Sequence, residues 1–431
     1  MKDSGIPWVG EIPADWEVGK VKGCLRRHEV KGHGDAMVLA LYRDHGVVPK
    51  DSRDDNHNRT GKDTNDYKYV REGDLVINKM KAWQGSLSVS GFEGIVSPAY
   101  FIYEFVGHNL DRGFADYLLR STYKQEFERV SGGIREGQWD LPRYDFEHMQ
   151  LPLPSMEEQQ RIADYLDERC AAIDEVRRTI EDEVEALRRL RKATIHRAVT
   201  KGLDEGVPMR DSGVEWIGEM PEAWVICRMK VMLASIPHAL SDGPFGSDMK
   251  SDEYQESGVP ITQLNNIKEG VHKDDSFKYI SSEKAETLSS HYVYPGELLM
   301  AKMMPAGRTC LVSNAYPKYV LSSDSIRIVP SKEVDRRFLC YAANAYSVVE
   351  AELMSKGSTR VRISLSIVRN MRFAIPLFSE QQRIADYLDE RCDAIDSIID
   401  TRTKQLERLE DYRKALIFAY VTGKKEVPTH A

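Results

Sequence analysis

The feature that most constrains this chain is a stretch of twelve residues that occurs twice. Residues 159–170 and residues 381–392 both read QQRIADYLDERC. After each copy the short sequences AID, RKA and VT follow at the same spacing, without a gap. A repeat of this length predicts two related halves, and therefore a ligand that also has two halves.

A second duplication precedes the first. Residues 3–16 read DSGIPWVGEIPADW, and residues 211–224 read DSGVEWIGEMPEAW. The segments between these frames, 17–150 (the first variable segment) and 225–374 (the second variable segment), resemble each other only in fragments such as GDLVINKM and GELLMAKM. The repeated frames are typical of a scaffold, and the divergent segments are typical of binding regions with different targets.

Each repeated motif opens a predicted long helix. The first helix is expected to end before Gly202 and the second before Gly423, which gives each a length of roughly 65–70 Å at ~1.5 Å per residue. A hydroxyl residue followed by Glu or Gln three positions later forms a capping box, in which two first-turn N–H groups are satisfied. The predicted capping boxes are Ser155 with Glu158, and Ser379 with Gln382.

The apolar residues of both helices recur with heptad spacing, which predicts a coiled coil. If a two-fold axis relates the halves, the two helices run antiparallel. The alternative is two ordinary amphipathic helices, each packed on its own domain. Polar residues such as Glu183 and Arg402 interrupt the heptads and are expected to fix the register. Val176, Leu190, Ile398 and Tyr412 are expected at complementary buried positions. The main scaffold positions are Ile162, Leu166, Ile173, Ile180, Leu187, Ile384, Leu388, Ile395, Leu409 and Leu416.

The pattern of the variable segments mixes strands, turns and short helices. The predicted fold class is therefore α+β, with two mixed α/β domains joined by two long antiparallel coiled-coil helices in a pseudo-two-fold repeat. The expected divisions are a first domain at 1–154, a first helix at 155–203, a second domain at 204–376, a second helix at 377–425 and a tail at 426–431.

Composition and motifs argue against a catalytic or metal-binding chain. No pair of the 6 cysteines has CxxC spacing, so neither a zinc site nor a disulfide framework is indicated, and a reducing cytoplasm is expected. Walker A and GxGxxG loops are absent from the sequence. A nuclease-like acid-x-Lys pattern can be drawn through Asp15, Glu29 and Lys31, but such tripeptides are common by chance. No signal peptide or membrane span is predicted.

Candidate nucleic-acid contacts lie in both variable segments. The net charge of −8 argues against strong non-specific binding, but local basic groups can still contact DNA. GGIR and GSTR combine glycine, which lets a backbone approach phosphate, with arginine, which binds phosphate or guanine. The alternative is that these are surface turns and that the lysines are solvated at strand ends. The candidates are Lys79, Lys81, Arg135, Lys302, Arg360 and Arg362.

These residues together resemble a known family. PLPSMEEQQRIADYLDERCAAID and PLFSEQQRIADYLDERCDAID are similar to the two long helices of Type I restriction–modification specificity subunits. The tandem order, the opening DSGIPWVGEIPADW, the GDLVINKM strand and the GSTR loop fit as well, so the resemblance covers nearly the whole chain. Individual base-reading residues cannot be transferred, because the variable segments are the divergent part.

The resemblance implies a non-catalytic subunit that reads double-stranded DNA. Each variable segment would belong to a target-recognition domain for one half of a bipartite site. The helices would set the spacing and dock two methyltransferase subunits, with restriction and translocation subunits joining them. S-adenosylmethionine, ATP and magnesium would be bound by those partners rather than by this chain. The alternatives are a stand-alone nuclease or methyltransferase, and a coiled-coil interaction scaffold without a role on DNA.

Overall fold

The structure is a computed structural model that describes residues 1–43, 45–52, 64–133, 139–215, 217–244, 248–303, 305–354 and 362–428, with the backbone alone at 346–354. The chain forms two compact units. The first contains residues 1–181 together with 403–431, and the second contains residues 182–402. Each unit therefore combines one variable segment with one end of each long helix.

In the N-terminal half, short strands and helices precede the first long helix. The strands are β1 (Lys2–Asp3), β2 (Glu11–Ile12), β3 (Glu17–Lys20), β4 (Leu25–His28), β5 (Leu39–Tyr42), β6 (Gly46–Pro49), β7 (Lys68–Val70), β8 (Leu75–Asn78), β9 (Leu87–Val89), β10 (Gly94–Val96), β11 (Tyr100–Phe105) and β12 (Gln150–Leu153). The helices are α1 (Val21–Cys24), α2 (Arg112–Thr122), α3 (Lys124–Val130), α4 (Arg143–His148) and α5 (Met156–Lys201).

The C-terminal half has the same general order. Its strands are β13 (Met209–Asp211), β14 (Glu219–Pro221), β15 (Val225–Arg228), β16 (Leu240–Asp242), β17 (Val259–Thr262), β18 (Lys278–Ile280), β19 (Tyr292–Val293), β20 (Leu298–Ala301), β21 (Thr309–Leu311), β22 (Tyr319–Leu321), β23 (Ser325–Ile328) and β24 (Arg372–Ile375). Its helices are α6 (Met229–Met232), α7 (Ser282–Thr287), α8 (Arg336–Met354), α9 (Leu365–Asn370) and α10 (Phe378–Val421).

The two variable segments share a sheet topology despite their divergent sequences. The first contains an antiparallel sheet of order β4-β11-β8-β9, and the second contains an antiparallel sheet of order β16-β23-β20-β21. The smaller ribbons β3–β12 and β15–β24 also correspond, as do β1–β2 and β13–β14. GDLVINKM and GELLMAKM contain the equivalent strands β8 and β20, so the fragments of likeness mark a common fold.

The second variable segment carries an extra sheet. Its order is β18-β17-β22-β19, and it includes a parallel pair, β17 with β22. Among its described residues, the first variable segment has the two-stranded ribbons β5–β6 and β7–β10 beside the shared sheet. The two variable segments thus share one four-stranded sheet and differ in the additional strands beside it.

The ends of the long helices follow the predicted signals with one exception. Ser155 Oγ accepts the N–H of Glu158 at 3.2 Å, as expected for a helix cap. The capping role predicted for Ser379 is wrong, because α10 already begins at Phe378 and Leu377 accepts the first backbone bonds. Gly202 and Gly423 end the helices with φ of +72° and +68°, the left-handed conformation that favours glycine.

A buried glutamine fixes the start of each long helix. Gln159 Oε1 accepts the N–H of Asp111 at 2.8 Å, and its Nε2 donates to the carbonyls of Asn109 and Pro154 at 3.0 and 2.9 Å. Gln381 repeats this with the N–H of Asp335 at 2.8 Å, while its Nε2 donates to the carbonyls of Glu333 and Pro376. Both side chains are at most 1% exposed. The glutamine therefore satisfies backbone groups that burial would otherwise leave without partners.

The same motif supplies a second contact to the variable segment, about two helical turns after the glutamine. Asp167 accepts the Tyr117 hydroxyl of α2 at 2.7 Å, and Asp389 accepts the Tyr341 hydroxyl of α8 at 2.8 Å. Burial, together with the carboxylate acceptor, holds the pKa of both tyrosines well above their usual value. The repeated sequence thus joins each long helix to one helix of the adjacent variable segment.

The two long helices pair antiparallel, as residue numbers that rise on one helix fall on the other. In the first unit Asp174 pairs with Arg413 at 3.8 Å and Arg177 with Glu410 at 3.9 Å. In the second unit Glu183 pairs with Arg402 at 3.0 Å, and Arg191 with Asp396 at 3.0 Å. The predicted polar interruptions Glu183 and Arg402 therefore bind each other.

The burial that the heptads predict is observed at the ten scaffold positions, which include the complementary residues Ile162 and Ile384, and is wrong at the other four complementary positions. The ten scaffold residues are buried or half-buried, including Leu166 and Leu388 at 0% exposure and Leu187 and Leu409 at intermediate exposure. Val176, Leu190, Ile398 and Tyr412 are exposed instead. The side chains of Cys170, Val184 and Cys392, each one position after a polar heptad residue, are buried. Cys170 and Cys392 belong to the hydrophobic cores that also contain side chains of the first and second variable segments.

The predicted fold class is confirmed: two mixed α/β units with two long antiparallel helices. All six cysteine thiols are free. Burial raises the pKa of the Cys340 thiol to about 12. Within the described ranges, no helix has the length and apolar character needed to cross a bilayer.

Gln159→Ala should destabilise the first unit by about 2–3 kcal/mol, since it leaves one buried N–H and two carbonyls without their partner. Hydrogen exchange of the Asp111 amide should accelerate, and the urea midpoint should fall. The matched control is Gln160→Ala, whose exposed side chain bonds only Asp164. Equal effects of the two substitutions would show that the buried glutamine does not anchor the helix.

Candidate nucleic-acid interface and outward helix face

The long helices present apolar side chains on the face away from the variable segments. In the first unit Val176 is 48% exposed and Tyr412 is 58% exposed. The ion pair between the nearby residues Asp174 and Arg413 places Val176 and Tyr412 at a similar height along the helix pair. We call Val176 and Tyr412 the first outward pair.

An equivalent pair lies in the second unit. Leu190 is 51% exposed and Ile398 is 47% exposed, and the pair Arg191–Asp396 brings them level. They occupy the same places in the sequence repeat as Tyr412 and Val176, respectively. We call them the second outward pair. Arg191 also bonds Glu269 of the variable segment at 3.1 Å.

In the first variable segment, the candidates Lys79 and Lys81 lie just after β8. Lys79 pairs with Asp140 at 2.8 Å, and its carbonyl accepts the N–H of Leu141, so this turn is tied to the chain beyond the GGIR sequence. Lys81 is exposed. The rings of Trp83 and Trp139 meet here with centroids 5.2 Å apart. Sequence reasoning missed this aromatic pair, because the two residues belong to distant segments.

In the second variable segment, Lys302 occupies the place equivalent to Lys79. Its Nζ binds Asp242 at 2.6 Å, and the residue is 7% exposed. Its carbonyl accepts the N–H of Ile363 at 3.0 Å, which repeats the Lys79–Leu141 bond. Arg362 pairs with Asp324 at 3.0 Å and keeps half of its side chain in solvent. The structure thus brings Lys302 and Arg362 close together, with the first buried and the second accessible.

Two of the six predicted DNA contacts lie outside the described residues. These are Arg135 and Arg360, and the tryptophan Trp216 of the repeated frame is outside them as well. Of the other frame tryptophans, Trp16 and Trp224 are buried against the glycines that end the long helices. The DNA-contact assignment of all six residues stays a prediction.

The groups of the acid-x-Lys pattern are engaged with neighbours. Glu29 binds Lys68 at 2.7 Å, and this hydrogen bond holds the pKa of Glu29 below its usual value. Lys31 pairs with Asp66 at 3.2 Å. Among the residues that the structure describes, no cluster of three or more His, Cys, Asp or Glu side chains is placed to hold a metal ion.

Comparison with known proteins places these features in one family. The sequence model for the Type I restriction modification DNA specificity domain matches residues 13–186 and 246–408, which is more than half of the chain. The two matches cover one variable segment and much of one long helix each.

Curated relatives and solved structures agree. The chain is 25% identical over 434 residues to the Type I restriction enzyme MjaVIII specificity subunit of Methanocaldococcus jannaschii, covering 96% of this chain and 94% of the relative. It is 23% identical over 220 residues to the EcoKI specificity subunit of Escherichia coli, covering 50% of this chain and 41% of that protein.

Among solved structures, a chain from work on complex assembly and conformational transition of the type I R-M system matches with a TM-score of 0.71 and 16% identity, covering 96% of this chain and 100% of that chain. The HsdS subunit from Thermoanaerobacter tengcongensis matches with a TM-score of 0.50 and 15% identity, over 96% and 98% of the two chains. These two likenesses show the fold. The match of the family model over more than half of the chain establishes that this chain belongs to the Type I restriction–modification DNA specificity family.

Proposed function

We propose that the chain is the DNA-reading subunit of a Type I restriction–modification complex and has no catalytic site of its own. Each variable segment reads one half of a bipartite site on double-stranded DNA. The observation that carries the proposal is the shared sheet, β4-β11-β8-β9 and β16-β23-β20-β21. Each copy precedes the same twelve-residue helix motif but carries different additional strands. A repeated frame with different attachments suits one mode of approach to two different base sequences.

The long helices have two roles in this proposal. They set the distance between the two parts of the DNA site, and they bind two methyltransferase subunits. The outward pairs support the second role, because equivalent exposed apolar residues in each half suit two copies of one partner. Restriction and translocation subunits would complete the assembly in the cytoplasm.

The chemistry is assigned to the partners. S-adenosylmethionine would be bound by the methyltransferase subunits, and ATP with magnesium by the motor–nuclease subunits. The role of this chain is then to position those subunits on DNA. Glu29 and Lys31 are each ion-paired with another side chain, and this arrangement gives no support for a stand-alone nuclease.

Replacing residues 17–150 with the corresponding segment of a relative should change one half of the recognised sequence and leave the other half intact. The reason is that this segment forms its own sheet within one unit. Sequencing of methylated adenines in a host that carries the exchanged protein and its partners measures the result. An unchanged bipartite motif would exclude base reading by this segment.

Inserting seven residues into both helices at the level of the Glu183–Arg402 pair should lengthen the gap in the DNA site by about three base pairs. One heptad adds roughly 10 Å and keeps the buried positions in phase. Methylation of substrates with graded gaps measures the shift. Insertion into one helix alone is the control, and it should abolish assembly because Arg191 and Asp396 lose their common level. A gap preference that does not move with the double insertion would refute the spacing role.

Val176→Gln with Tyr412→Gln should reduce the number of bound methyltransferase copies from two to one, and Leu190→Gln with Ile398→Gln should do the same. Each pair of substitutions removes the exposed apolar area of one unit without changing a buried residue. Native mass spectrometry of the purified complex counts the copies.

The control for this experiment is Val231→Gln, which alters a 67% exposed residue outside the long helices. Combining all four helix substitutions should remove both copies. Retention of both copies by the fourfold variant would place the docking surface elsewhere.

A further inference from the structure

The second variable segment contains an open polar cleft for which sequence reasoning gave no role. It has a volume of about 450 Å³. One wall is the turn after β17, with Gln263 and Asn265, and the other is the turn before β23, with Ser323 and Asp324. Tyr254 and Met249 add apolar surface. We call this site the amide cleft.

The two amides of the cleft are unused within the described part of the chain. Gln263 is half-buried and Asn265 is exposed, and neither side chain makes a hydrogen bond to a described residue. The Asn266 side chain of the same turn does have hydrogen-bond partners, so the two free amides differ from their immediate neighbour. An amide offers one acceptor and two donor hydrogens, which is the pattern needed to bind a group with both donor and acceptor atoms.

The turn that carries these amides is held rigidly. Asn266 is fully buried, and its Oδ1 accepts the N–H of Gln263 at 2.9 Å. Its Nδ2 donates to the carbonyls of Lys273 and Asp275 at 3.0 and 2.9 Å. Arg308 donates to the Leu264 carbonyl at 3.0 Å. A turn fixed in this way loses little conformational entropy on binding, which favours recognition over structural filling.

The opposite wall is fixed as well, and it carries negative charge. A Cβ on Gly243 would lie 2.0 Å from the Ser322 carbonyl oxygen, so only glycine permits this approach of the two chains. Asp324 accepts one bond from Arg362 at 3.0 Å, and its backbone carbonyl accepts the N–H of Lys302. The carboxylate retains further acceptor capacity towards the cleft.

We propose that the amide cleft reads an adenine in the half-site bound by the second variable segment, an inference that rests on the function proposed above. The adenine edge in the major groove presents the N7 acceptor beside the N6 amino donor, and Asn or Gln matches this pair in bidentate fashion. The guanine edge presents only the acceptors N7 and O6, which the Asp324 carboxylate repels. Gln263 and Asn265 therefore supply the attraction, and Asp324 supplies the discrimination.

Arg362 has a positioning role in this site. Its ion pair with Asp324 holds the carboxylate in place, and its exposed half remains free for the DNA backbone. Arg362, which the sequence predicts to contact DNA, therefore lies beside the residue that is proposed to discriminate between bases. Lys302, which is buried against Asp242, also stabilises this wall: its N–H donates to the Asp324 carbonyl, and its carbonyl accepts the N–H of Ile363.

The test uses the full chain in complex with its methyltransferase partner. Duplexes with either half-site randomised are selected for binding at one fixed salt concentration and sequenced. The wild-type complex should prefer adenine at one position of one half-site. Gln263→Ala with Asn265→Ala should lower that preference by roughly tenfold or more, with the other half-site unchanged. Asp324→Asn should admit guanine at the same position.

Asn314→Ala is the matched control, because it removes an exposed amide of the same variable segment outside the cleft. The melting temperature of each variant shows that the fold is retained. If the double variant keeps every wild-type preference, or weakens both half-sites equally, the cleft does not read adenine, although the proposed function stands. If the wild-type complex selects no bipartite sequence, the proposed function fails with it.

Discussion

The buried glutamine at the start of each long helix is the contact on which the rest of the architecture depends. Gln159 and Gln381 each satisfy one backbone N–H and one carbonyl of the loop before a helix of the variable segment. Each also donates to the carbonyl of the proline that precedes its own long helix. A single side chain thereby joins scaffold and variable segment where no water can replace it. This contact requires the same residue in both halves, which accounts for the strict repetition of the motif around it.

Beyond this contact, the repeated sequence performs separate tasks on separate faces of the helix. Asp167 and Asp389 bind tyrosines of the variable segments, while Asp174 and Asp396 bind arginines of the opposite helix. Val176 and its counterparts lie in solvent on the remaining face. One helix surface is therefore divided between contacts to a variable segment, contacts to the opposite long helix and a solvent-exposed face. This division suits a subunit that organises other subunits on DNA.

Sequence reasoning succeeded where a pattern acts locally or repeats. The heptads located the buried residues Leu166 and Leu388, and the glycines Gly202 and Gly423 marked the helix ends, because both signals depend on neighbours along the chain. The prediction of burial failed at Val176 and Tyr412. The heptad pattern is compatible with burial of either side of the helix, and only the position of the variable segments determines which side is buried. The candidate site divides in the same way. Lys81 could be selected by its charge, whereas the amide cleft joins turns that are far apart in sequence.

The sequence by itself determined the duplication, the two long helices and the resemblance to the family, since all of these follow from periodic and repeated residues. Only the tertiary structure decided that the two divergent segments share one sheet order, that Lys302 is buried against Asp242, and that Gln263 and Asn265 stand opposite Asp324. The physical reason is that side-chain burial and hydrogen bonding depend on contacts between distant segments. Such contacts leave no periodic signal in a single chain.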